Sequence, residues 1–221
     1  MTKLVDLSQT VRDGLVTYRG LPAPYVCDFL SRQASEDTYG QGVTFQIDRI
    51  EMVGNTGTYL DSPFHRYAGA KDLAALELDA LADLPCVVVR SYAAAPFHAV
   101  DAAQFAGIDV AGKAVLVETG WSRHWGSDAY FEGTPFLTRD AALSLRDGGA
   151  RLAGIDALNI DDVRDGERPV HTILLAAEIL ICEHLTNLAE LPDSGARFFA
   201  VPPKFAGVGT FPVRAFARID D

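Results

Sequence analysis

Four short apolar runs constrain the fold of this chain most: residues 86–89, Ala114–Glu118, Leu152–Ile155 and residues 179–182. Each is strand length, and each carries apolar side chains at odd and even positions alike. Such a strand is covered on both of its faces. Turn formers bound the runs, with Pro85 ahead of the first and Thr119-Gly120 after the second. Helices must supply the cover. Thr138 is a suitable N-cap for a helix over Arg139–Asp147, which Gly148-Gly149 closes. A second short helix is expected over residues 170–177. Strands are expected over 4–7, 198–201 and 213–217, and a longer one over 43–53 with a bulge or bend where Ile50 and Met52 shift its parity. Residues 72–83 and 101–106 suggest short helical turns. Residues 12–37, with Gly14, Gly20, Pro22 and Pro24, read as mostly loop. The pattern predicts a mixed α/β fold, one domain over residues 1–221, with a barrel-like sheet and peripheral helices.

Composition excludes several functions. The net charge is −11. Nucleic acid and anionic lipid both call for a basic face, so neither is an expected partner. Cys27, Cys86 and Cys182 form no C-x-x-C pair, so neither a thiolate zinc site nor a disulfide framework is expected. Residues 173–182 are apolar but too few to span a membrane. Residues 1–10 lack a signal-peptide core, which favours a cytoplasmic protein.

Two distant stretches hold the chemistry. Residues 54–65 place Asp61 and His65 among Gly, Thr, Ser and Pro. Residues 171–183 bring His171 and Glu183 out of an apolar segment. Asp, Glu and His together are ligands for a divalent metal that activates water. Taken alone, Asp61 reads more readily as a turn cap, and the motif around it favours the metal. Glu183 follows a buried strand, where a charge is costly unless paired or metal-bound. His184 should face away from Glu183 across the strand. Nothing at ligand spacing gives His98 or His124 a role.

The stretch from Asn55 to His65 resembles the signature H-x-G-T-H-x-D-x-P-x-H of the cyclase family of metal-dependent hydrolases, which includes bacterial-type kynurenine formamidase and isatin hydrolase. Gly57, Thr58, Asp61, Pro63 and His65 match it, while Asn55 and Tyr59 stand where the family has histidines. The resemblance continues through Asp6-Leu7-Ser8, Thr119-Gly120-Trp121, Gly154-Ile155-Asp156 with Asp161, His171 through Leu188, and Pro202 through Arg214. It implies a swivelling β/β/α barrel, assembled as a homodimer or homotetramer. It also implies Asp61, His171 and Glu183 as metal ligands and His65 as the acid/base group. Imidazole suits that task because its ordinary pKa lies near neutrality.

With an amide and a phenol replacing two imidazoles, one divalent metal, Zn or Mn, is expected rather than two. Asn55 and Tyr59 then become substrate-binding candidates, with Tyr18, Phe64 and Trp121 as an aromatic wall. The expected activity is hydrolysis of a small formamide, amide, cyclic amide or lactone. A metal-free small-molecule binding protein, or an isomerase or cyclase using His65 as base, is the alternative.

Overall fold

The computed structural model describes residues 2–92 and 94–220. In chain order the strands are β1 (Lys3–Asp6), β2 (Tyr25–Leu30), β3 (Ile47–Glu51), β4 (Tyr59–Asp61), β5 (Leu84–Arg90), β6 (Ala99–Val100), β7 (Ala114–Glu118), β8 (Phe136–Leu137), β9 (Leu152–Ile155), β10 (Leu180–Glu183), β11 (Ser194–Phe199), β12 (Thr210–Pro212) and β13 (Phe216–Ile219). The helices are α1 (Arg32–Tyr39), α2 (Arg139–Asp147) and α3 (Pro169–Ala176).

Nine strands form one mixed sheet in the order β1-β13-β11-β5-β7-β9-β10-β4-β12. Its centre, β5-β7-β9-β10, is parallel. These are the four apolar runs, and their parity shows why both positions had to be apolar. Val87, Val115, Ala153 and Ile181 pack into one core with Ala141, Leu145 and Leu174 of α2 and α3. Cys86, Leu116, Leu152 and Cys182 pack into the other, with Leu60, Phe198 and Ala217. At about 25 cal/mol per Å² of apolar surface, the two cores supply the main drive to fold. The mixed α/β reading holds.

The Thr138 cap is formed: its hydroxyl accepts from the Ala141 N–H at 3.2 Å, and α2 runs over the expected residues. The segment read as loop behaves differently. It holds β2 and α1, and β2 pairs with β3 as a separate two-stranded ribbon. The expected long strand over 43–53 shortens to β3. Neither β2 nor β3 contains a buried residue, so no buried face marks them in the sequence. Residues 72–83 form two 3₁₀ turns. Among the described residues no helix is long and apolar enough to cross a membrane.

Candidate metal centre

The site lies at the carboxyl ends of the parallel strands, where open α/β sheets offer their crevice. Sheet register builds it. In β4, Leu60 enters the core, so Tyr59 and Asp61 share the opposite face. Antiparallel pairing sets Glu183 of β10 against Tyr59, and Thr210 of β12 against Asp61. Directly opposed residues touch: the Tyr59 hydroxyl donates to Glu183 Oε2, and the Thr210 hydroxyl donates to Asp61 Oδ1. β4 leads into a 3₁₀ turn, Pro63–His65, that swings His65 back over the strand. Gly209 permits this. A Cβ there would stand 2.6 Å from the His65 nitrogen.

His171 comes from α3 and is almost fully buried. Asp161 holds it. The Asp161 carboxylate accepts the backbone N–H groups of Val170 (2.7 Å) and His171 (3.0 Å), and contacts His171 Nδ1 at 2.6 Å. With Nδ1 held by Asp161, Nε2 faces Asp61 Oδ2, 3.6 Å away, and Glu183 Oε1, 3.8 Å away. Carboxylate partners of this kind fix the tautomer of metal-binding imidazoles. Sequence reasoning saw Asp161 as a motif residue. Its role behind His171 depends on α3 docking over the strand end.

Asp61 is wholly buried, and its Oδ2 has no hydrogen-bond partner. Its carboxylate thus does not form the backbone-capping turn that was the plainer reading of Asp61. A buried carboxylate oxygen without a partner costs several kcal/mol, unless a cation satisfies it. Ligand atoms of Asp61, His65 and His171 lie within 4.8 Å of one another. Two imidazoles and a carboxylate fit one divalent ion with a position left open. Glu183 stands beside this group. Both of its oxygens are engaged, Oε1 accepting from the Ile160 N–H at 2.6 Å.

Electrostatics follow the crowding. Burial pulls the His171 pKa down, but the Asp161 and Asp61 carboxylates outweigh it, with Glu183 adding to them, and raise it to about 10. Burial pushes Glu183 up to about 7, against the pull of His171. Burial, then the charges of Glu183 and Asp61, raise the Tyr59 phenol well above its ordinary value. Tyr59 is therefore a neutral donor at physiological pH.

A cavity of about 440 Å³ opens above these groups, lined in part by Tyr18, Leu21, Asn55, Tyr59, His65 and His171. Phe64 and Trp121 are not among its lining residues. The Trp121 indole is buried, donating to the Tyr130 carbonyl at 3.0 Å. His184 departs from strand alternation because its φ is +58°. Its ring centre lies 5.1 Å from that of Tyr59, and its Nδ1 meets the Tyr130 hydroxyl at 2.9 Å. Burial lowers its pKa to about 3.

A family model described as "Putative cyclase" matches residues 5–162. The chain belongs to the cyclase family. Other members extend the likeness along its whole length. It is 28% identical to a kynurenine formamidase of Maricaulis maris (strain MCS10) over 99% of both chains. It is 24% identical to one from Bacillus cereus, over 97% of this chain and 96% of the relative. A solved structure described as a potential metal-dependent hydrolase with cyclase activity superposes with a TM-score of 0.81, at 25% identity and with full coverage of both chains. An isatin hydrolase bound to the product analogue thioisatinate gives 0.86 at 21% identity, covering 100% of this chain and 93% of its own, a likeness of fold.

Proposed function

We propose that this cyclase-family protein is a metal-dependent hydrolase of a small carbonyl compound: a formamide, an amide, a cyclic amide or a lactone. The observation that carries the reading is the partnerless, buried Oδ2 of Asp61 facing the Nε2 of His171 beneath an open cavity. One Zn or Mn ion held by Asp61, His171 and Glu183 would polarise a carbonyl and make a nearby water more acidic. His65 lines the cavity and is the acid/base group. Thr210 sets its tautomer: with the hydroxyl proton on Asp61, the 2.8 Å contact to His65 Nδ1 requires a proton on that nitrogen. Nε2 is then free to take a proton from the attacking water and return it to the leaving nitrogen or oxygen. Tyr18 and Leu21 offer an apolar wall, and Asn55 a hydrogen-bonding amide.

The tight grouping of Asp61, His65 and His171 favours a second reading, with His65 as third donor in place of Glu183. Metal content separates the two. Glu183→Gln should lose the ion in the first case, and His65→Gln in the second.

The test of function is a panel of formamides, imides and lactones assayed after chelation and after return of Zn or Mn. Hydrolysis restored by either ion, at one ion per chain, is expected. Tyr59→His with Asn55→His should raise the stoichiometry to two, because imidazoles then replace an amide and a phenol. A protein that turns over nothing and binds no ion would be a small-molecule binding protein instead. An isomerised rather than hydrolysed product would indicate isomerase chemistry.

We also propose a homodimer or homotetramer. Tyr25, Val26 and Phe29 of β2 and Ile47 and Ile50 of β3 are all exposed. A lone two-stranded ribbon is at best marginally stable in water, and an apolar patch of this kind needs cover. A second copy presenting the same ribbon is the occupant. Light scattering should give at least twice the chain mass, and Phe29→Asp with Ile50→Asp should reduce it to the chain mass.

A further inference from the structure

The chain carries a charge of −11, yet the cavity lining includes Arg19, Arg66 and Arg168 and no Asp or Glu. Among the described residues, Arg19 alone of the three meets carboxylates. Arg19 lies 3.5 Å from Asp128 and 3.4 Å from Glu132. Arg66 donates its Nε to the Thr172 hydroxyl at 3.3 Å. Arg168 differs. Its Nη1 reaches the Asn159 side-chain oxygen at 3.3 Å and the Asp162 carbonyl at 3.5 Å, both neutral acceptors. The nearby Asp162 carboxylate is taken by Arg164 at 2.7 Å. Among the described residues, Nε and Nη2 of Arg168 have no acceptor. That edge of a guanidinium is one that a carboxylate can grip with two parallel hydrogen bonds.

The backbone adds a second observation. Arg168 has φ +50° and ψ +59°, immediately before Pro169. A left-handed conformation is costly for a side chain of this size, and such outliers cluster at ligand clamps. The strain falls at a lining arginine that has no carboxylate partner among the described residues.

We infer that Arg168 is the anion-binding residue of this cavity, and that the substrate is a small carbonyl compound bearing a carboxylate, gripped by Arg168 while its carbonyl faces the Asp61–His171 group. The inference rests on the hydrolase reading for the second half of that statement only. The net negative surface would slow the approach of such an anion, and a local cluster of arginines offsets this at the mouth of the site.

The test pairs ligands that differ in charge alone. Benzoate and benzamide are titrated into the metal-loaded protein, followed by ligand-observed magnetic resonance. 3-Formamidobenzoate and its methyl ester are compared as substrates. Benzoate should bind about tenfold more tightly than benzamide, and the acid should exceed its ester by a similar factor in kcat/KM, mostly through KM. Arg168→Met should remove both preferences while leaving binding of benzamide unchanged. Arg168→Lys, which keeps the charge without the fork, should restore only part. Equal binding of the two ligands by the wild type, or preferences that persist in Arg168→Met, would overturn the inference. Benzoate binding that depends on Arg168 without turnover of either formamide would retain the anion site and sink the hydrolase reading.

Discussion

Asp61→Asn should lose the metal ion and lower kcat/KM by about a thousand-fold or more, and should also destabilise the metal-free protein. The first half follows from position. Loss of a partner behind a metal ligand typically costs about 10–100-fold, and loss of a ligand itself costs more. The second half follows from the Asp61 surroundings. Oδ1 has the Thr210 hydroxyl, but Oδ2 is buried without a hydrogen bond. The amide oxygen of Asn can keep the Thr210 contact, but the charge 3.6 Å from the buried, protonated His171 disappears, and removing one partner of a buried charge pair typically costs about 3–5 kcal/mol. Thermal melts in chelator and in added Zn or Mn check both halves. The wild type should gain stability with metal, and the variant should not, since only a ligand that binds the folded form raises Tm. A variant that melts with the wild type in chelator would mean that Asp61 contributes no charge partner to His171 in the metal-free protein. One that still binds the ion would place the ion elsewhere.

The same contrast explains which parts of this fold are legible in the sequence. The four central strands carry the signature of burial on both faces, and α2 carries its cap, so both are readable from local pattern. β2 and β3 bury neither face, which leaves alternation without a consequence and makes them look like loop and bend. In the site, Asp61, His65, His171 and Glu183 stand out as polar residues in rigid or apolar contexts, and register then brings them to one place. Tyr18, Asn55 and Tyr59 line the cavity. Trp121 looks like a wall residue for the same reason that it is a core residue: a large ring with one polar atom, here turned to the Tyr130 carbonyl. Thr210, Asp161 and Arg168 carry no comparable local signal. Thr210 acquires meaning through the pairing of β12 with β4, Asp161 through the docking of α3, and Arg168 through a backbone angle.

Metal affinity should rise steeply with pH, and the slope should identify the third ligand. His171 in the metal-free protein has a pKa of about 10, because the Asp161, Asp61 and Glu183 carboxylates outweigh the cost of burying its charge. It is therefore protonated at neutral pH, and an ion can take Nε2 only by expelling that proton. Below about pH 10 the apparent affinity should then climb about tenfold per pH unit, one proton for one ion. Glu183 adds a second proton. Its pKa of about 7 reflects burial, partly offset by the His171 charge. If Glu183 is a ligand, the slope should steepen toward two protons per ion below pH 7 and relax to one above it. If its hydrogen bonds to Tyr59 and the Ile160 N–H keep it out of the donor set, no two-proton slope is expected below pH 7, and Glu183→Gln should keep the ion and shift the profile only through a lower His171 pKa. Chelator-competition titrations from pH 6 to 9, run beside Asp161→Asn, measure this. The variant removes the strongest support for a charged His171, so its affinity should depend less on pH while falling about 10–100-fold in absolute terms. An affinity independent of pH in the wild type would mean that binding expels no proton from His171, and an affinity unchanged in His171→Gln would then remove it from the set of ligands.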